Sequence, residues 1–395
     1  MRSTTRYSPF CVMKKDILTL KKELLSEVRR VVIKVGSSVL TAGGDDLYQG
    51  IFKKIAKSIS SLKERGYDIV VVSSGAVAAG RKSLTCVDKP ANIPQKQASA
   101  AIGQVRLMRH YEECFNAYQQ KTAQVLLTHD ALSDRKKFLN ARNTLFTLLQ
   151  CGIIPIINEN DSVVVDEIKF GDNDILSALV TNLVDADLLL VLTDRDGLFV
   201  LDPQHHKNAS LIKVVQEITP KIEELAKGTT SRLGTGGMLT KIDAAKKASL
   251  YGIPTIVVNG NTDDIIGKVF TGEEVGTFFL PRKTRLSSRK HWIAFNRHAK
   301  GTLIVDDGAK KAIVERGKSL LSSGLVDVKG FFDFGDAVIC VDTHGLEFAR
   351  GLVNYKEEEV MKLKGRHSRD IEKVLGYKYY DEIIHRDDLV VLEAT

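Results

Sequence analysis

The feature that most restricts this chain is a repeat of apolar, β-branched runs separated by helical patterns. Residues 31–35, 69–72, 124–127, 153–157, 188–192 and 254–258 read as strands. Helical stretches lie near 47–65, 76–82, 95–119, 134–150, 175–183 and 239–250. Strands that are apolar throughout and alternate with helices predict an α/β fold, with a mainly parallel central sheet covered on both faces. In such sheets ligands bind beyond the carboxyl ends of the strands. The polar clusters of this chain fall there: Gly36-Ser37-Ser38, Ser73-Ser74-Gly75, Asn158-Glu159-Asn160-Asp161 and Thr193-Asp194.

The pattern changes near Pro281. A stretch over 282–300 has seven basic and no acidic residues, and short strands follow near 302–305, 325–328, 337–341, 347–353 and 389–392. About 105 residues of this kind predict a small β-rich domain with its own core. Asp306 or Asp307 is placed to cap one of its helices and Gly317 to end it. The organisation expected is an amino-terminal extension over 1–28, a main domain over 29–281, a basic linker over 282–290 and a β-rich domain over 291–395.

Charge narrows the function. The net charge is +8, but residues 1–36 contribute +6 and residues 282–300 contribute +7, so the remainder sums to 8 − 13 = −5. An enzyme built on nucleic acid would carry its positive charge across the main body. The five cysteines are dispersed and form no CxxC pair, which argues against a disulfide framework or a structural zinc site. No apolar run approaches the ~20 residues of a spanning helix. The expected location is the cytoplasm. The leader, with Arg2 and Arg6 among Ser and Thr, reads either as an organelle address or as an extension ahead of a second start at Met13.

Two familiar nucleotide signatures fail. Gly317-Lys318-Ser319 would need a glycine at 312, where the chain has Ala312. Gly234-Thr235-Gly236 starts a dinucleotide fingerprint whose last glycine is replaced by Leu239. What remains is Gly234-Thr235-Gly236-Gly237-Met238-Leu239-Thr240-Lys241 at the start of a helix. Glycines let backbone N–H groups approach a phosphate, and a helix amino end favours an anion. Lys241 lies in the first turn, where a free cation opposes the helix dipole, so a nearby anion is expected; the alternative is a solvated loop lysine. Lys34 interrupts an apolar strand, so it either reaches a ligand, pairs with a carboxylate or escapes to water at an edge. The carboxylates and amides of 158–161 and of Gly171-Asp172-Asn173-Asp174 could hold an amino group, orient lysines or contact Mg²⁺, or serve as turn chemistry. Thr193-Asp194 could touch a nucleotide or make a plain turn.

Taken in order, these clusters resemble a known family. Val32-Ile33-Lys34-Val35-Gly36-Ser37-Ser38, Ser73-Ser74-Gly75-Ala76, Phe138-Leu139-Asn140-Ala141-Arg142, Ile157-Asn158-Glu159-Asn160-Asp161, Gly171-Asp172-Asn173-Asp174, Leu192-Thr193-Asp194 and the 234–241 loop are similar to the series of the glutamate 5-kinases, in the amino acid kinase family. The tail resembles a PUA domain. The resemblance implies a three-layer αβα kinase fold with a PUA-like barrel. It implies ATP-dependent phosphorylation of the L-glutamate γ-carboxylate, the first step of proline biosynthesis, with inhibition by proline. Carried over by position, Ser74, Asp161 and Asn173 would hold glutamate. Lys34, Thr193, Asp194, Thr235, Gly236, Gly237, Met238, Leu239, Thr240 and Lys241 would hold ATP with its Mg²⁺. Lys34 and Lys241 would flank the phosphoryl group, with Asp174 positioning them, and no dedicated metal ligands are expected. A homo-oligomer and a glutamyl-phosphate reductase are the implied protein partners; RNA binding by the tail is left open. The rival readings are an acylated-glutamate or aspartate kinase and an RNA-binding protein.

Overall fold

The computed structural model describes residues 17–84, 92–128, 132, 135–163, 173–201, 209–227, 237–281 and 299–392. Thr235 and Gly236, most of the basic 282–300 stretch and the leader before Ile17 lie outside the described residues. The chain divides into two compact units, residues 1–130 with 142–282 and residues 131–141 with 283–395.

The first unit holds the strands β1 (Arg30–Val35), β2 (Asp68–Ser73), β3 (Thr122–Leu127), β4 (Ile154–Glu159), β5 (Leu188–Thr193), β6 (Val214–Val215), β7 (Thr255–Asn259) and β8 (Thr277–Phe279). Their order across the sheet is β3-β4-β2-β1-β5-β7-β8-β6. All neighbouring pairs are parallel except β7 with β8, so the sheet is mainly parallel as expected. The central position of β1, between β2 and β5, places Lys34 opposite Val72 and Val191. The two-residue β6 and the three-residue β8 are too short to leave a periodic signal, and the sequence reading missed both.

Helices α1 (Ile17–Glu27), α2 (Ser37–Leu40), α3 (Gln49–Glu64), α4 (Ala76–Arg81), α5 (Ile93–Asn116), α6 (Arg135–Gln150), α7 (Asn173–Leu183), α8 (Pro220–Lys227), α9 (Met238–Leu250) and α10 (Ile265–Phe270) connect or cover these strands. Alternation along β1 sorts its two faces. Val31, Ile33 and Val35 join a core with α3 and α5 residues such as Phe52, Ile59, Leu107 and Tyr111, and the end of the α1 segment adds Leu25 and Val28. Val32 and Lys34 point to the opposite face, where α7 and α9 supply Asp174 and Lys241. Helices α4 and α5 cross at Gly80 and Gly103. A Cβ on Gly103 would lie 1.8 Å from the Ala76 carbonyl oxygen, so only glycine permits that approach.

The second unit is built on a five-stranded sheet of β9 (Gly301–Val305), β10 (Leu325–Gly330), β11 (Ala337–Val341), β12 (Glu347–Leu352) and β13 (Leu389–Val391), in the order β10-β9-β11-β12-β13. Its core includes Leu303, Val305, Val338, Tyr355 and Ile384. As anticipated, the Asp306 carboxylate caps helix α11 (Asp307–Arg316) by accepting from the Ala309 N–H at 2.7 Å, and Gly317 ends it at φ 58°.

Candidate active site

Parallel strands present their carboxyl ends along one edge, and the buried polar side chains of the first unit concentrate there. Lys34, Asn158, Glu159, Asn173, Asp174, Thr193 and Lys241 are each buried. Such groups are costly without partners, so their contacts define the site.

The central contact is a buried trio. Lys34 Nζ lies 2.6 Å from Asp174 Oδ1, and Lys241 Nζ lies 3.2 Å from Asp174 Oδ2. Two lysines 207 positions apart thus meet on the two oxygens of one carboxylate. The Thr240 hydroxyl stands 2.7 Å from Asp174 Oδ2 and 2.9 Å from the Gly237 carbonyl oxygen, and its one proton serves either acceptor. Burial alone would raise the Asp174 carboxyl. The adjacent Lys34 and Lys241 ammonium groups outweigh that and hold it well below the usual carboxylate range. The trio carries one net positive charge.

Local structure explains the geometry. Asp174 sits in the first turn of α7, where a carboxylate complements the helix dipole. Lys241 sits in the first turn of α9, after Gly237 as an extended N-cap without a side-chain cap. The anion expected beside this ill-placed cation is Asp174 of the protein itself. Lys34 is the carboxylate-paired alternative of the sequence reading, not an edge lysine.

A second network flanks the first. Asn158 at the end of β4 accepts at Oδ1 from the Glu159 N–H (2.9 Å) and from Asn173 Nδ2 (3.1 Å), and its own Nδ2 donates to Gln104 Oε1 (2.8 Å). The Glu159 N–H also reaches Asn173 Oδ1 at 3.3 Å. Asn173 therefore precedes Asp174 on α7 as a fixed amide. Asp161, in the turn after β4, is half-buried, and burial pushes its carboxyl up to about 6.

The remaining predicted residues share the edge on separate loops. The Ser74 N–H donates to the Val35 carbonyl (3.0 Å), and the Gly36 N–H to the Leu192 carbonyl (3.1 Å), joining the ends of β2, β1 and β5. Gly75 follows at φ 102°, a left-handed conformation suited to glycine. The Thr193 hydroxyl donates to Asp194 Oδ1 at 3.1 Å, and the Thr193 carbonyl accepts from Gly260 N–H at 2.7 Å. Asp194 is exposed, Met238 is buried and Leu239 half-buried.

Sequence reasoning missed Gln104, which lies inside an ordinary amphipathic helix pattern, and Asn259, which closes β7 and donates from Nδ2 to Asp196 Oδ1 at 2.9 Å. Asn259 ends an apolar strand, as Thr193 does, and that position could have revealed it. The Phe138–Arg142 motif has a structural use: Arg142 donates to the Leu183 carbonyl at 2.8 Å, pairs with Asp185 and covers the Phe146 ring, fixing the far end of α7.

A buried cationic pair at the carboxyl edge of a parallel sheet, with a glycine-led helix start beside it, has the chemistry to hold an anionic group. Comparison with known proteins agrees. The model of the amino acid kinase family matches residues 29–259, and that of the PUA domain matches residues 301–375. The chain belongs to the amino acid kinase family and is a kinase, a phosphotransferase. Within that family its similarity is to the glutamate 5-kinases. It is 54% identical over 373 residues to the glutamate 5-kinase of Geobacter sulfurreducens, covering 94% of this chain and 100% of the relative. It is 50% identical over 372 residues to that of Syntrophotalea carbinolica, again covering 94% and 100%. Among solved structures, the UMP kinase of Bacillus anthracis aligns with a TM-score of 0.47 at 17% identity, over 65% of this chain and 97% of that one. Among the described residues, no helix is long and apolar enough to cross a membrane.

Proposed function

We propose that the protein transfers the γ-phosphoryl group of ATP to the γ-carboxylate of L-glutamate, giving L-glutamyl 5-phosphate and ADP at the start of proline biosynthesis. The observation that carries this reading is the meeting of Lys34 and Lys241 on Asp174. The relatives named above support glutamate as the acceptor.

The chemistry suits the residues. A glutamate carboxylate has an ordinary pKa of ~4.3, so at neutral pH it is already the nucleophile and needs no general base. The obstacle is repulsion between this anion and a triphosphate. Lys34 and Lys241 offset that repulsion and stabilise charge in the in-line transition state, while Asp174 holds the two ammonium groups together. The acceptor oxygen forms a bond to γ-phosphorus as the bond to the bridging oxygen of ADP breaks, and the released charge stays on ADP. Mg²⁺ arrives with the nucleotide as part of the substrate. Asp161 pairs with the substrate ammonium, and Ser74 and Asn173 hold the rest of glutamate. Thr193, Asp194 and the 235–241 segment hold ATP. Proline acts as inhibitor, the chain assembles as a homo-oligomer, and a glutamyl-phosphate reductase consumes the unstable acyl phosphate. A cytoplasmic setting fits this role.

The test is a hydroxamate assay with ATP and, side by side, L-glutamate, N-acetylglutamate and L-aspartate, repeated with proline. Turnover confined to glutamate and suppressed by proline is expected. Preference for either other acid refutes the substrate assignment.

A further inference from the structure

We infer that Gln104 is a specificity-determining positioning residue: its amide oxygen anchors Asn158 in an amide relay, Gln104–Asn158–Asn173, whose polarity the Glu159 N–H sets, so that Asn173 offers the substrate an N–H. The inference deepens the glutamate kinase reading and rests on it.

The polarity follows from one unambiguous donor. A backbone N–H can only donate, so the Asn158 atom 2.9 Å from the Glu159 nitrogen must be the amide oxygen. Asn158 Nδ2 then faces Gln104, and the Gln104 atom 2.8 Å away must be its oxygen. The same Asn158 oxygen accepts from Asn173 Nδ2 at 3.1 Å, and Asn173 Oδ1 receives the Glu159 N–H at 3.3 Å. Asn173 therefore has its oxygen engaged and one amide hydrogen outside the relay. An N–H suits a carboxylate and is wrong for an ammonium. The substrate ammonium is left to Asp161.

Gln104 is poorly explained by stability. It is nine-tenths buried, and its Nε2 has no hydrogen-bond partner among the described residues. An apolar side chain at 104 would avoid that unpaired donor. What it would lose is the acceptor for Asn158 Nδ2, leaving a buried amide N–H unpaired and Asn158 held only through its oxygen. The helix is closely packed here, since a Cβ on the adjacent Gly103 would lie 1.8 Å from the Ala76 carbonyl oxygen of α4.

The experiment compares wild type, Gln104→Met and Gln104→Glu in full-length protein, measuring kcat and the KM of glutamate and of ATP, with thermal unfolding of each. Met fills the same space without an acceptor, and Glu keeps the acceptor. Gln104→Met is expected to raise the glutamate KM about tenfold and leave the ATP KM within about twofold. Gln104→Glu is expected to stay within about threefold for both. A purely packing role predicts that Met is tolerated, so a wild-type glutamate KM in Gln104→Met overturns the inference, as does an equal rise in both KM values. Should Gln104→Met lose its cooperative unfolding transition, Gln104→Glu decides: a tenfold rise in its glutamate KM overturns the relay. Absence of glutamate turnover by wild type instead overturns the underlying substrate reading and takes this inference with it.

Discussion

Replacing Asp174 by Asn removes one charge from the centre of the site with almost no change in shape. In the native protein that carboxylate lies 2.6 Å from Lys34 Nζ and 3.2 Å from Lys241 Nζ. At an effective dielectric constant near 20, unit charges so placed attract by roughly 6 and roughly 5 kcal/mol. Desolvation of three buried groups and repulsion between the lysines oppose most of this. Removing one partner of a buried ion pair has a net cost of about 3–5 kcal/mol, the loss expected in urea-induced unfolding followed by circular dichroism. The same substitution frees the ammonium groups to separate or lose a proton. A loss of about 3 kcal/mol in transition-state stabilisation corresponds to roughly a hundredfold drop in kcat. The acidity of Asp174 adds a check of sign. Its carboxyl is held below the ordinary 3.8 by the two lysines, against the opposing effect of burial. Its stabilising contribution is therefore complete above about pH 4 and fades only as pH falls through the lower native value. The stability gap between wild type and variant should be the same at pH 5 and pH 7. A variant with normal kcat, or one as stable as wild type, would falsify the idea that one carboxylate organises both lysines.

Asp161→Asn should raise the glutamate KM by tenfold or more and spare the ATP KM; equal effects on both would remove Asp161 from the ammonium subsite. Because burial raises the Asp161 carboxyl from the ordinary 3.8 to about 6, its cost to folding builds as pH rises from 3.8 to about 6 and is constant above that value. The wild-type glutamate KM should accordingly climb about tenfold per pH unit below 6, a slope that Asp161→Asn abolishes and that initial-rate profiles would reveal. Lys241→Ala should cut kcat by orders of magnitude, and a near-normal single-turnover rate would exclude it from the phosphoryl site. Gly103→Ala, whose new methyl would meet the Ala76 carbonyl oxygen at 1.8 Å, should destabilise the first unit by about 3 kcal/mol; an unchanged unfolding midpoint would contradict the tight α4–α5 crossing.

The fold and the charged centre of the site were legible because each breaks a local rule. A lysine in an apolar strand and a lysine in the first turn of a helix are both unfavourable alone, and each asked for an anion. The order of the polar clusters placed them along one edge, since parallel strands share their carboxyl ends. The partner's identity was less legible. By its own chemistry the 171–174 cluster read equally as turn residues; the family resemblance alone singled out Asp174, and the fold sets it against both lysines. Gln104 was invisible for the opposite reason. It violates nothing on a long, partly exposed helix, and it follows a glycine–glycine crossing at Gly103 that no periodicity encodes. The short β6 and β8 were lost for want of length.

Asp174 and Gln104 share a logic that ties the fold to the reaction. Each is a buried polar group that bears on a residue proposed to touch substrate, Asp174 directly on the two lysines and Gln104 through Asn158 on Asn173. In a transfer that needs no proton abstracted from its nucleophile, rate enhancement must come from charges and dipoles held still before substrate arrives. Holding two like charges together requires a counter-charge that cannot relax, and holding an amide in one of two near-isosteric orientations requires a group that can only donate, the Glu159 N–H, and an acceptor for its other end, Gln104 Oε1. A central strand and two helix amino ends meet the first need; a helix locked by its glycines meets the second. The two substitutions should therefore fail differently: Asp174→Asn chiefly in kcat, Gln104→Met chiefly in the KM of the amino acid.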